Sequence, residues 1–341
     1  MHFMKTKKKC TALVVGSLAF FSVCAGFLLF KRGQKAEPSL RFVSIIFRHG
    51  ERAPDEPLPP GLHEDAMFWP EGLGALLQRG KENMFELGRS LRYRYDAFLS
   101  SKYIPAEIEV ISSDVDRCIM SAQLLLAGLY PPEGVQKWNP DLPWQPVPVH
   151  SLPRECDQLI LVTSHCPLLT EERQKRLDRM TKAINKNEEF LAYLSQKTGV
   201  IISDIMLVHA LYEHVSSLVC AYTRPSFCLI NLLYSLTFRY IFAGNLIKYV
   251  LSKMKQKTDS EANFLRRLNL YSGHDHTLMS FWRNANISQE ITDLPLNGAA
   301  LLIELHEIND KYQVKVMCHS MKLFNFFYVR KCDHVLFSLC V

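Results

Sequence analysis

The stretch that decides the fold is Phe42-Val43-Ser44-Ile45-Ile46-Phe47 followed by Arg48-His49-Gly50-Glu51-Arg52-Ala53-Pro54. A short apolar, β-branched run that ends in a polar turn reads as a buried strand, and open α/β sheets carry their chemistry at the C-terminal ends of such strands. Two guanidiniums and an imidazole leave this strand together. Arginine offers a rigid fork of donors that matches phosphate oxygens, and a neutral imidazole nitrogen can attack phosphorus. The pattern points to a phosphoryl site, although an Arg-His-Gly triplet taken alone reads equally well as a solvated loop.

Two further strand ends bear on that choice. Ile108-Glu109-Val110-Ile111 runs into Ser112-Ser113-Asp114-Val115-Asp116-Arg117, and a helix follows until Pro131-Pro132 stops it. Leu268-Asn269-Leu270-Tyr271 runs into Ser272-Gly273-His274-Asp275-His276-Thr277, again before a helix. Strand, polar turn and helix form the α/β repeat unit. Arg117 on its own also reads as a surface ion pair, and His274-Asp275 as a helix start with Asp275 as its cap.

The remaining organisation is read from pattern. Four prolines between Pro54 and Pro60 predict an irregular cover over the site, extending to Pro70, and Glu71–Tyr95 predicts a helix in which Gly80 and Gly88 allow close approach. Trp138–Pro153 is an extended Pro-rich connection. Residues 155–250 read as a mostly helical insertion over the C-terminal edge of the sheet. Within it, Ser226–Phe238 is uncharged and too short to span a bilayer, so a buried helix is expected there, with a second membrane contact as the alternative. Asn309-Asp310 between two apolar runs is a hairpin signal.

The chain has 341 residues, enough for one large domain with an insertion, and 48% hydrophobic residues exclude a disordered protein. Its net charge of +6 resides in residues 1–37, which hold seven basic residues against one acidic. The neutral body argues against nucleic-acid binding. Residues 10–30 are uncharged with basic flanks, long enough as a helix to cross a hydrocarbon core of about 30 Å. They read as an uncleaved signal anchor, or as a signal peptide cut after Ala25, and either places the body outside the cytosol. Ten cysteines suit an oxidising compartment with disulfides, while no zinc-ligand spacing occurs. Asn286-Ile287-Ser288 is a glycosylation sequon.

With three strand ends in place, the chain resembles the histidine acid phosphatases of the animal prostatic and lysosomal type. RHGERAP at 48–54 is similar to their RHGxRxP signature, SSDVDRCIMSAQ at 112–123 to the stretch bearing a third phosphate arginine, and YSGHDHT at 271–277 to their HD motif. The connection at 130–153 is also close. The likeness lapses over 213–242 and in the tail beyond 318.

The resemblance implies an α/β fold: a mostly parallel sheet flanked by helices, with a helical cap. Residues 1–37 would be anchor and linker, and 38–341 the phosphatase domain. His49 would be the nucleophile and Asp275 the acid that protonates the leaving alcohol. Arg48, Arg52, Arg117 and a protonated His274 would hold the phosphate, with no metal or other cofactor. His276 would tune the pocket. The expected partners are a small phosphomonoester and, through residues 10–30, a membrane, with a homodimer left open. The expected location is extracellular or lysosomal. The alternatives are an inactive ectodomain with a binding role, or a same-fold phosphatase for inositol or sugar phosphates or lysophospholipids.

Overall fold

The computed structural model describes residues 35–57, 68–161, 167–222, 236–259, 264–285, 295–319 and 330–331. Its centre is a sheet of strands β1 (Leu40–Arg48), β2 (Ile108–Ser112), β3 (His150–Ser151), β4 (Leu268–Gly273), β5 (Ala300–Ile308), β6 (Lys311–His319) and β7 (Arg330–Lys331) in the order β3-β2-β4-β1-β5-β6-β7. The half from β3 to β1 is parallel, as expected of the site-bearing strands, whereas β1, β5, β6 and β7 pair antiparallel. The antiparallel half follows from local chain reversal. Asn309 and Asp310 have φ of 52° and 58°, the left-handed pair that a two-residue hairpin turn requires.

β1 is apolar throughout because both faces of the sheet are covered. Val43, Ile45 and Phe47 face helices α1 (Gln78–Tyr95) and α2 (Asp116–Leu129), packing with Met84, Leu87, Leu91, Ala122 and Leu125. Phe42 and Ile46 face the opposite layer, where they join Leu278, Phe281 and Trp282. Each large apolar side chain so buried contributes about 1.5–3 kcal/mol. Under the first face, Arg94 of α1 donates to Glu304 of β5 at 2.8 Å, and Tyr95 and His306 bond the same carboxylate.

α1 starts at Gln78 rather than at Glu71. Gly72 and Gly74 adopt φ of 93° and 70°, and Leu76 forms a β-bridge with Arg52, so the expected first turns are spent on a loop that returns to the site. The two glycines singled out in this helix do make close contacts. A methyl on Gly80 would overlap the Glu51 carbonyl, and one on Gly88 the Leu125 carbonyl of α2.

The region after β3 carries α3 (Pro167–Ile184), α4 (Glu188–Thr198), α5 (Ile205–Tyr222) and α6 (Leu236–Thr258). α4 ends at Gly199, whose φ of 73° turns the chain out of the helix. The later part of α6 belongs to the sheet's second layer, since Leu246, Val250 and Met254 pack with Phe42 and Ile46. α7 (Asp275–Asn284) completes that layer. The anchor segment 10–30, the sequon, residues 226–235 of the expected buried helix and most of the divergent tail lie outside the described residues. Among the described residues, no helix is long and apolar enough to cross a membrane.

Candidate active site

The ends of β1, β2 and β4 converge, and with them all six residues singled out from sequence. His49 is buried, 2% exposed, with its backbone N–H donating to Gly273 O at the end of β4. Ser113 N–H donates to Ser272 O, which ties the β2 turn to the same strand. Gly50 approaches Gly80 of α1 so closely that a side chain at either would clash with backbone. The Gly50 N–H donates to Ser121 Oγ of α2. The turn carrying Arg48 and His49 is thus clamped by two helices as well as by two strands.

His49 Nδ1 lies 2.8 Å from the carbonyl of Gly50. A carbonyl only accepts, so Nδ1 carries the proton and Nε2 keeps its lone pair. Burial pushes the imidazole well below its ordinary pKa, and the Arg48 guanidinium adds to this. His274 packs edge-on to His49 with ring centres 5.5 Å apart, and its Nε2 is 3.0 Å from Ser113 Oγ. Burial lowers its pKa as well, followed by the stacked His276 ring and Arg117. Both environments favour the neutral imidazole.

Asp275 opens α7, with His274 as the residue before it; the backbone N–H of His274 donates to Thr277 Oγ1. The Asp275 carboxylate lies 3.3 Å from Arg48 and accepts the His276 N–H at 2.6 Å. Burial raises its pKa, but Arg48 and His276 outweigh that and hold it well below the usual carboxylate range. The helix N-terminus favours the same ionised form. α2 also begins at this point, with Arg117 in its first turn, so two helix N-termini flank the cluster, each suited to an anion.

Two carboxylates in the cluster were not singled out from sequence. Asp55 lies 2.9 Å from Arg52 and 3.0 Å from Arg117. Glu213 reaches in from α5 to Arg52 at 2.9 Å. Asp55 sits directly after the heptapeptide and could have been noticed there. Glu213 is 161 residues from its partner and has no local signal. The Nε–H groups of Arg48, Arg52 and Arg117 are buried without an acceptor among the described residues. Buried donors of this kind call for an acceptor. Cys118 sits beside His274, but burial raises its thiol to about 12, so it stays protonated and inert. Among the described residues, no three His, Cys, Asp or Glu side chains converge as a metal-binding group.

An α/β sheet that gathers an imidazole with a free ring nitrogen and buried guanidinium donors at its strand ends defines a phosphoryl-transfer class of enzyme. Residues 39–199 match the family model "Histidine phosphatase superfamily (branch 2)". The chain is 33% identical to the lysosomal acid phosphatase of Xenopus laevis over 308 residues, covering 84% of this chain and 66% of that protein. It is 32% identical to the prostatic acid phosphatase of Bos taurus over 300 residues, covering 81% of this chain and 76% of that protein. Its fold is similar to that of the phytase from Citrobacter braakii, with a TM-score of 0.55 at 18% identity, covering 82% of this chain and 85% of that chain. The chain belongs to the histidine phosphatase superfamily, branch 2, alongside acid phosphatases, and this agrees with phosphomonoester hydrolysis.

Proposed function

We propose that this chain is a metal-independent acid phosphatase that cleaves phosphate monoesters through a phosphohistidine on His49. The observation that carries the reading is the tautomer of His49: the Gly50 carbonyl holds the proton at Nδ1, leaving the Nε2 lone pair for nucleophilic attack. Nε2 attacks phosphorus as the P–O bond to the alcohol breaks, and Asp275 gives its proton to the departing oxygen. Water then attacks the phosphohistidine, its proton passes to the Asp275 carboxylate, and the P–N bond breaks to regenerate His49. Arg48, Arg52, Arg117 and His274 stabilise the charge on the equatorial oxygens.

Asp275 acts as an acid only once protonated. A bound phosphate competes for Arg48 and adds negative charge next to the carboxylate, and both effects raise its pKa. Activity therefore rises as pH falls into the acid range. His276, touching both Asp275 and His274, tunes this pair. We assign residues 38–341 as the catalytic domain, with the helices within 155–250 walling the substrate pocket. Residues 10–30 act as the membrane anchor. The prostatic and lysosomal relatives support a secreted or lysosomal location. The test is hydrolysis of p-nitrophenyl phosphate against pH by the full chain and by His49→Ala. The variant is expected to lose turnover, and equal rates would remove His49 from its role. Strong inhibition by a chelator would contradict the metal-free site.

A further inference from the structure

Building on the phosphatase reading, we infer that Asp55 and Glu213 are specificity-determining residues. They restrict the site to a single phosphoryl group carried on an uncharged or cationic alcohol, and disfavour polyphosphorylated substrates. The inference rests on which donors they occupy. The Nη2 atom of Arg52 is shared by Asp55 and Glu213, its Nη1 donates to Ala53 O, and Nη1 of Arg117 is held by Asp55. Among the described residues, the Nε–H groups of Arg48, Arg52 and Arg117 have no acceptor. The two carboxylates thus take up Nη2 of Arg52 and Nη1 of Arg117, so fewer guanidinium donors are left for a second anion.

Charge leads to the same conclusion. Arg52 and Arg117 are balanced by Asp55 and Glu213, and Arg48 by Asp275, so a phosphate dianion turns the cluster negative. Glu213 stays ionised: burial raises its pKa, but Arg52, assisted by His209 on the same helix and by the Asp55 N–H, brings it below the ordinary value. Asp55 and its neighbour Glu56 are both exposed. A second phosphate on the same substrate would meet Asp55, Glu56 and Glu213 near the first, with the arginines of the cluster already paired. An ammonium group on the alcohol would meet a complementary field.

The experiment compares kcat and KM for O-phosphoethanolamine, p-nitrophenyl phosphate and myo-inositol hexakisphosphate in the full chain, Asp55→Asn and Glu213→Gln. The wild type is expected to prefer the two monophosphates. Each variant should lower KM for inositol hexakisphosphate roughly tenfold relative to p-nitrophenyl phosphate, the scale of removing one nearby charge. A wild type that prefers the hexakisphosphate overturns the proposal. So does an unchanged KM ratio in both variants. If one variant fails to fold, an unchanged ratio in the other is sufficient, because Asp55 and Glu213 enter the cluster from separate segments. Wild-type inactivity on p-nitrophenyl phosphate, or activity equal to that of His49→Ala, would instead refute the phosphohistidine reading, so the two failures are separable.

Discussion

At the scale of single residues, the site separates two imidazoles and two kinds of carboxylate by environment alone. His49 and His274 are both buried, but only His49 has a backbone carbonyl that fixes its proton on Nδ1. Asp275 is the carboxylate paired with Arg48 at a helix start, whereas Asp55 and Glu213 hold the other two arginines. An acid that protonates the leaving group matters in proportion to how poor that group is. Asp275→Asn should therefore reduce kcat/KM, which reports the steps up to release of the alcohol, by about 10²–10⁴-fold for glycerol 2-phosphate and much less for p-nitrophenyl phosphate, whose phenolate leaves without a proton. Equal losses on the two substrates would argue against Asp275 as the acid.

At the scale of elements, positioning depends on backbone contact between α1, α2 and the β1 turn. Gly88 faces the Leu125 carbonyl, Gly128 faces the Phe85 carbonyl, and Gly80 faces Glu51. The neighbours here are main-chain atoms that cannot rotate away. Gly88→Ala is expected to destabilise the fold by about 1–3 kcal/mol or more, read as a lower denaturant midpoint, and an unchanged midpoint would show that the helices can separate freely. The strand ends were legible in the sequence because apolar runs stop abruptly at polar turns, and Arg48, His49, Arg52, Arg117, His274 and Asp275 are local to those turns. The start of α1 was less legible, since leucines at helical spacing continue through Gly72 and Gly74. Glu213 was not legible at all: an acidic residue on a helix face carries no mark of the arginine it will meet.

At the scale of the whole molecule, acid favours the chemistry and opposes the fold. Glu304 has its pKa raised by burial but lowered more by His306 and Arg94, leaving it below the usual value. Such a group stabilises the fold above its unfolded pKa, and the contribution disappears as pH falls through the folded one. His49 and His274 are depressed, and burial brings His319 down to about 4. Unfolded histidines take up protons near 6.5 that the native ones refuse, so their stabilisation declines as pH drops below that value towards 4. The thermal midpoint should fall between neutrality and pH ~4, measurable by calorimetry, and a flat or rising midpoint would contradict these environments. The acid optimum of activity is then bounded on its lower side by unfolding.

The position of β4 between β2 and β1 sets the order of events during synthesis. A growing chain makes the heptapeptide early, yet the strand that supplies His274 and Asp275 emerges only after the four helices from α3 to α6. Until it inserts, β1 and β2 each present an open parallel edge, and closing such distant segments is slow. A nascent chain of this protein thus carries the heptapeptide's strand without either of its sheet neighbours for most of its time on the ribosome, and the catalytic cluster is completed late.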